Sequence, residues 1–196
     1  GGHAAFVRSI SVTEASLWLV DFARPGARPI SSGRGRNEAP VWSPDGAHVA
    51  FASDRDGPQN FFVKSVADAS PERPLYQSPA LFKKPDAWLR DGRIVFSALG
   101  LDITWDVWLL PVSGSAATGP AVPYLRGPWR DYLALPSPDG HRMAYESVDT
   151  GRDELYVQSF PQPGQKQQIS TDGVTAQWWS RDSRHLLFVD MDRKLW

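Results

Sequence analysis

Three observations predict an all-β fold for this chain of 196 residues. Seventeen prolines and 16 glycines scatter turn-formers along its whole length, among nine tryptophans and runs of β-branched residues. That mixture suits short strands joined by tight turns. No segment offers ten or more residues of helical period. Finally, a five-residue pattern returns: WSPDG at 42–46, WLRDG at 88–92, PSPDG at 136–140 and WSRDS at 179–183. The steps between Asp45, Asp91, Asp139 and Asp182 are 46, 48 and 43 residues. Four short strands fit in each period of about 45 residues, the signature of a β-propeller blade. The expected architecture is a propeller of four-stranded antiparallel blades, three complete and two partial, forming one domain over residues 1–196.

The first blade, residues 1–35, is partial. Gly2 fits the turn position one step before Gly46, Phe6 ends the strand AAF, and Trp18 lies in the next strand, LWLV. The second blade, 36–81, adds a strand before its turn and then repeats the pattern with Phe51 in VAF and Phe62 in FFVKSV. The third, 82–127, is expected to hold strands at Asp86–Leu89, Arg93–Ser97, Asp106–Val112 and roughly Ala121–Leu125. Phe96 and Trp108 are its aromatics. Tyr145 and Tyr156 take those places in the fourth blade, 128–172. The fifth, 173–196, is partial again, with Phe188 and then Leu195-Trp196 beginning another strand.

Elementary chemistry explains the repeated residues. In the turn, Pro presets φ, Asp bonds its own backbone, and Gly supplies a positive φ. The Trp before the turn is large and rigid, suited to filling the gap between blades. The two partial blades duplicate the second and third strands, so they do not merge into one closing blade. An open ring would expose strand edges, which proteins avoid. The expectation is a fragment of a larger propeller or a ring completed by another chain, with self-association through the open blade edges.

Hydrophobic residues make up 41% of the chain and charged residues 22%, ordinary for a globular protein able to bury about 70% of its unfolded surface. A net charge of -1 argues against nucleic-acid binding, which needs a basic excess. No apolar run approaches the ~20 residues of a membrane helix, so no membrane insertion is expected. The absence of cysteine excludes disulfides and thiol catalysis.

The succession of SPDG turn, β strand, polar loop, aromatic strand and looser fourth strand resembles the PD-type propeller repeat of the TolB family. It is similar also to the propellers of prolyl-oligopeptidase-type enzymes and of tricorn protease. The segment ELYVQSFPQPGQKQQISTDGVTAQWWS, 154–180, resembles propeller tails of bacterial Ser/Thr kinases and winged-helix regulators. The resemblance implies blade strands ordered from the central axis outward, six or more blades in a whole ring, and a periplasmic or extracytoplasmic location. The α/β domain that precedes the propeller in TolB has no counterpart in these residues.

Catalytic patterns are missing. No G-x-S-x-G nucleophile elbow, P-loop, dinucleotide-binding glycine pattern or kinase catalytic loop is present; Ser113-Gly114-Ser115 reads as a flexible connection in SGSAATG. His3, His48, His141 and His185 all follow the repeated turn, one per blade, too dispersed to share an ion. Asp54-Arg55-Asp56-Gly57 and Asp149 to Asp153 echo half of a calcium loop but lack its glutamate, and turn chemistry accounts for them. No metal and no cofactor is expected.

What remains is the face carrying the connections between blades and the second-to-third-strand loops. Arg36, Asn37, Lys84, Asp86, Trp129, Arg130, Asp131, Thr175 and Gln177 fall there, mixing charge with an aromatic as a protein- or peptide-binding channel mouth requires. The expected function is a noncatalytic interaction module, a sensory or scaffold part of a longer protein. One alternative is the gating propeller of a serine peptidase whose catalytic domain lies outside these residues. Another is a structural ring assembled from several short chains.

Overall fold

The computed structural model describes residues 2–31 and 34–196; residue 1 and residues 32–33 of the first expected blade lie outside the described residues. The described residues form strands and turns without a helix. The first sheet holds β1 (His3–Ser9), β2 (Ala15–Asp21) and β3 (Ala27–Pro29). The second is a meander of β4 (Asn37–Trp42), β5 (His48–Ser53), β6 (Asn60–Ser65) and β7 (Arg73–Tyr76). The third contains β8 (Phe82–Trp88), β9 (Arg93–Leu99), β10 (Trp105–Ser113), β11 (Ala116–Ala117) and β12 (Val122–Leu125), the last two both pairing with β10. The fourth runs β13 (Asp131–Pro136), β14 (Arg142–Ser147), β15 (Glu154–Ser159) and β16 (Gln167–Gln168). β17 (Ala176–Trp179) and β18 (Leu186–Val189) form the last. Every paired strand is antiparallel to its neighbour in chain order, as short connections dictate.

The repeated turns are superimposable in their bonding. Gly46, Gly92 and Gly140 have positive φ, and Ser183 takes the same place at φ 61°. Each of these residues donates its N–H to the carbonyl three residues back, at 2.8–3.0 Å. Asp45, Asp91, Asp139 and Asp182 each accept the N–H two residues ahead, at 2.9–3.1 Å. Ser43, Ser137 and Ser180 do more than the sequence suggested. Each hydroxyl donates to the turn aspartate (2.5–2.6 Å) and accepts the N–H of the residue five positions on, at or just before the start of the second strand (2.9–3.0 Å).

Strand alternation sorts side chains onto two faces, and each face packs on a different neighbouring sheet. Leu17, Leu19 and Ile30 of the first sheet meet Val49, Phe51 and Phe62 of the second. Ala50, Phe61, Val63 and Leu75 meet Ile94, Phe96 and Leu110. Val95, Val107 and Leu109 meet Met143, Tyr145 and Tyr156, and Ala144 and Leu155 meet Trp179, Leu186 and Phe188. Within β9, Ile94 and Phe96 thus face one sheet and Val95 the other. Trp42, Trp88 and Trp179 pack against these intersheet clusters, and the Trp179 indole donates to Leu135 O on the preceding sheet at 2.9 Å.

Two elements differ from expectation. β8 begins at Phe82, four residues before Asp86, because pairing with β9 continues across a bulge between Pro85 and Ala87; a proline tolerated at a bulge had concealed that continuation. The SGSAATG segment is a tight hairpin, β10 against β11, turning at Gly114 with φ 58°.

Candidate functional site

The first strands of the second to fifth sheets converge on one cavity. β4, β8 and β13 all bulge, between Glu38 and Val41, Pro85 and Ala87, and Tyr132 and Leu135. Bulges re-aim side chains, and here the bulged residues Ala39, Pro40, Asp86, Leu133 and Ala134 turn toward a shared cavity. Ala39 and Leu133 hold the same left-handed conformation at φ 50° and 51°, which costs a non-glycine residue of order 1 kcal/mol. The cavity, about 340 Å³, is completed by Lys84, Glu146, Thr175, Gln177 and Trp178, so four of the five sheets contribute to one space. A second cavity of about 440 Å³ adjoins it through Ala39, Pro40 and Lys84 and reaches Val7, Glu38, Gln59, Phe82 and Trp105.

The electrostatics are unusual for surface loops. Burial pushes the Asp86 carboxyl up to about 7, against the hydrogen bonds that it accepts from Ser97 and from the Ala134 N–H. The Ser97 hydroxyl donates to Asp86 Oδ2 at 2.5 Å and accepts the Leu133 N–H at 2.9 Å. Burial also raises Glu146 to about 7, with Asp153 adding to the shift and Tyr132 and Lys84 opposing it. The exposed Lys84 is therefore set among two carboxyls that release their protons near neutrality. Such a cavity can accept a cationic or hydrogen-bonding group and surround it with apolar surface.

The residues expected at the mouth divide into groups. Lys84, Asp86, Thr175 and Gln177 line the cavity. Gln177 Nε2 donates to Leu133 O at 2.8 Å while its Oε1 has no partner. Trp129, 49% exposed, and Arg130, lying over the Tyr132 ring, stand outside the cavity on the connection into β13. Asp131 is buried beside them, its carboxyl raised by burial, with Oδ1 unpartnered. Asn37 and Arg36 brace neighbouring sheets: Asn37 is buried, donating to Ala15 O and accepting from Arg55, and Arg36 donates to Glu38 and to Val12 O. Lys83, next to Lys84 on β8 but not among the expected residues, is fully buried, its ammonium bound to Ser78 O and Ala80 O and pushed down to about 8 by burial.

Sequence reasoning missed Glu146, Trp178 and Trp105. Glu146 had a signal: it follows the strand aromatic Tyr145, a position held by Ala52 and Ser97 in the neighbouring repeats. A carboxylate there replaces a small residue on the cavity side. Among the described residues no group of three or more His, Cys, Asp or Glu is placed to hold a metal. His48 differs from a solvated turn histidine, since its Nδ1 is buried without a partner.

Sheets that pack face to face in chain order, with their first strands gathered around one cavity, define a β-propeller. No family model matches the sequence. Among curated proteins the chain is 30% identical over 106 residues to YuxL, an uncharacterized peptidase of Bacillus subtilis strain 168, covering 52% of this chain and 16% of that protein. Among solved structures, TolB from Acinetobacter baumannii aligns at a TM-score of 0.79 with 14% identity over 99% of this chain and 50% of that one. A puromycin-hydrolyzing peptidase of Mycobacterium tuberculosis aligns at 0.67 with 14% identity, over 94% of this chain and 35% of its own. The chain thus spans half or less of each of these proteins, and the shared feature is the propeller fold.

Proposed function

We propose that this propeller is a noncatalytic module that binds a protein or peptide at its mouth, as a sensory or scaffold part of a longer extracytoplasmic protein. The observation that carries this reading is the cavity to which four sheets contribute Lys84, Asp86, Glu146, Thr175, Gln177 and Trp178. A partner's side chain entering it would exchange water for apolar walls and a few placed polar groups, the usual composition of an anchoring pocket. Trp129 and Arg130 would form the rim.

The test is peptide display on the immobilised chain, followed by affinity measurement for the enriched peptides. Lys84→Glu and Trp129→Ala should each weaken binding roughly tenfold, a common cost for a well-buried interface residue, with melting temperature unchanged. Enriched peptides that bind both variants as well as the parent would sink the proposal. A second reading, a gating propeller beside a peptidase domain, is favoured by the match to YuxL. A G-x-S-x-G elbow with later Asp and His in the surrounding reading frame would support it, and a frame without them would remove it.

A further inference from the structure

A third pocket opens between the second and third sheets, about 410 Å³ in volume and sharing no lining residue with either cavity described above. Its walls are aromatic. Phe96 on β9 stands directly opposite Trp108 on β10, and Tyr76 at the end of β7 lies 5.4 Å from the Phe96 ring. Three charged residues complete it: Asp102 in the β9–β10 loop, Asp106 on β10 and Arg126 after β12. Leu101, largely exposed, overhangs from the same loop.

Asp106 decides the chemistry. It is 5% exposed, and burial holds its carboxyl above the usual range. Its partners are the Gly127 backbone N–H and the Arg126 guanidinium, the latter at 3.9 Å, beyond hydrogen-bond reach. Arg126 is itself mostly exposed and free to move away. The carboxylate therefore retains acceptor capacity inside an aromatic enclosure. Two carboxylates against one guanidinium leave a net negative charge, which excludes anions. Aromatic faces attract cations through their quadrupole, and a volume of several hundred Å³ suits a small organic molecule.

We propose that this pocket binds a small organic monocation, an ammonium group carried on an aromatic or alkyl body. The ammonium would take the open Asp106 oxygen, displacing Arg126, while the body fills the space between Tyr76, Phe96 and Trp108. The proposal is independent of what binds at the mouth.

The experiment is calorimetric titration of the chain with three probes of one shape: phenethylammonium, 2-phenylethanol and 3-phenylpropionate. The ammonium should bind about tenfold more tightly than the alcohol, as expected for a partly desolvated charge-assisted contact, and the carboxylate should not bind. Asp106→Asn should abolish the preference for the ammonium over the alcohol. Arg126→Ala, at an exposed position that the fold tolerates, should raise ammonium affinity by about threefold through loss of a competing cation. Equal affinity for ammonium and alcohol overturns the proposal, as does binding of none of the three at millimolar concentration. Ammonium affinity that Arg126→Ala leaves unchanged or lowers also overturns it, even if Asp106→Asn fails to fold.

Discussion

At the scale of single residues, the chain uses the same few side chains repeatedly and departs from them at the cavity. The serine hydroxyl that closes three of the four repeated turns is replaced by Leu89 in the second of them, where the aspartate and glycine bonds suffice. Asp86 and Glu146 are departures of the other kind, carboxyls where neighbouring repeats hold Pro40 or Ala52. Both are held protonated to about pH 7 by burial. A raised carboxyl pKa means that the folded state binds more protons than the unfolded state between about pH 4 and 7, so this contribution to stability is present at low pH and lost as pH rises. Removing both titrations with Asp86→Asn and Glu146→Gln should flatten the dependence. Relative to that double variant, the parent chain should lose on the order of 1 kcal/mol per group between pH 4.5 and 7.5 in denaturant titrations. Parallel curves for the two proteins would show that neither carboxyl titrates abnormally.

At the scale of elements, the repeated aromatics are cross-strand partners. Phe6 faces Trp18, Phe51 faces Phe62, Phe96 faces Trp108 and Tyr145 faces Tyr156. Phe188 exchanges both backbone hydrogen bonds with Trp196, so the pairing begins again in the fifth sheet. Opposed aromatics stabilise a strand pair by about 0.5–1.5 kcal/mol beyond their burial, but burial between sheets is the larger effect. Phe61 is fully buried and meets Phe96 edge-on at 5.2 Å, whereas Phe6 is 41% exposed on the first sheet. Phe61→Ala should therefore cost about 3–5 kcal/mol and Phe6→Ala under about 1 kcal/mol. Similar costs in chemical denaturation would contradict the view that intersheet clusters hold the fold. Strand pairing was legible in the sequence because turn chemistry and alternation are local. The bulges were not, since Pro85 and the left-handed Ala39 and Leu133 carry no local mark that distinguishes them from strand ends. The cavity was half legible for the same reason: Lys84, Asp86, Thr175 and Gln177 lie on or just before the first strands β8 and β17, close to the connections between sheets, while Glu146 reaches it from near the end of β14.

At the scale of the whole molecule, the stacking has a direction. The aromatic pair of each sheet faces the preceding sheet, as Phe51 and Phe62 do toward Leu17 and Leu19. The residue before that aromatic faces the following sheet: Ala5, Ala50, Val95 and Ala144 all join the next cluster. Two faces are left over in the described structure. The first sheet presents Phe6 and Trp18 outward, and the last presents Leu187, 40% exposed, at the place where Ala144 meets the next sheet. Each interior pair of sheets joins one face of each of these two kinds, so the isolated chain should associate head to tail, a heterologous contact that does not close on two copies. Sedimentation velocity should show oligomers growing with concentration, and Phe6→Glu or Leu187→Glu alone should leave monomers. Mixing the two variants is the discriminating step. Each retains the face that the other has lost, so the mixture should form dimers and nothing larger. A mixture that stays monomeric, or a parent chain that does so at every concentration, would show that the end faces do not meet.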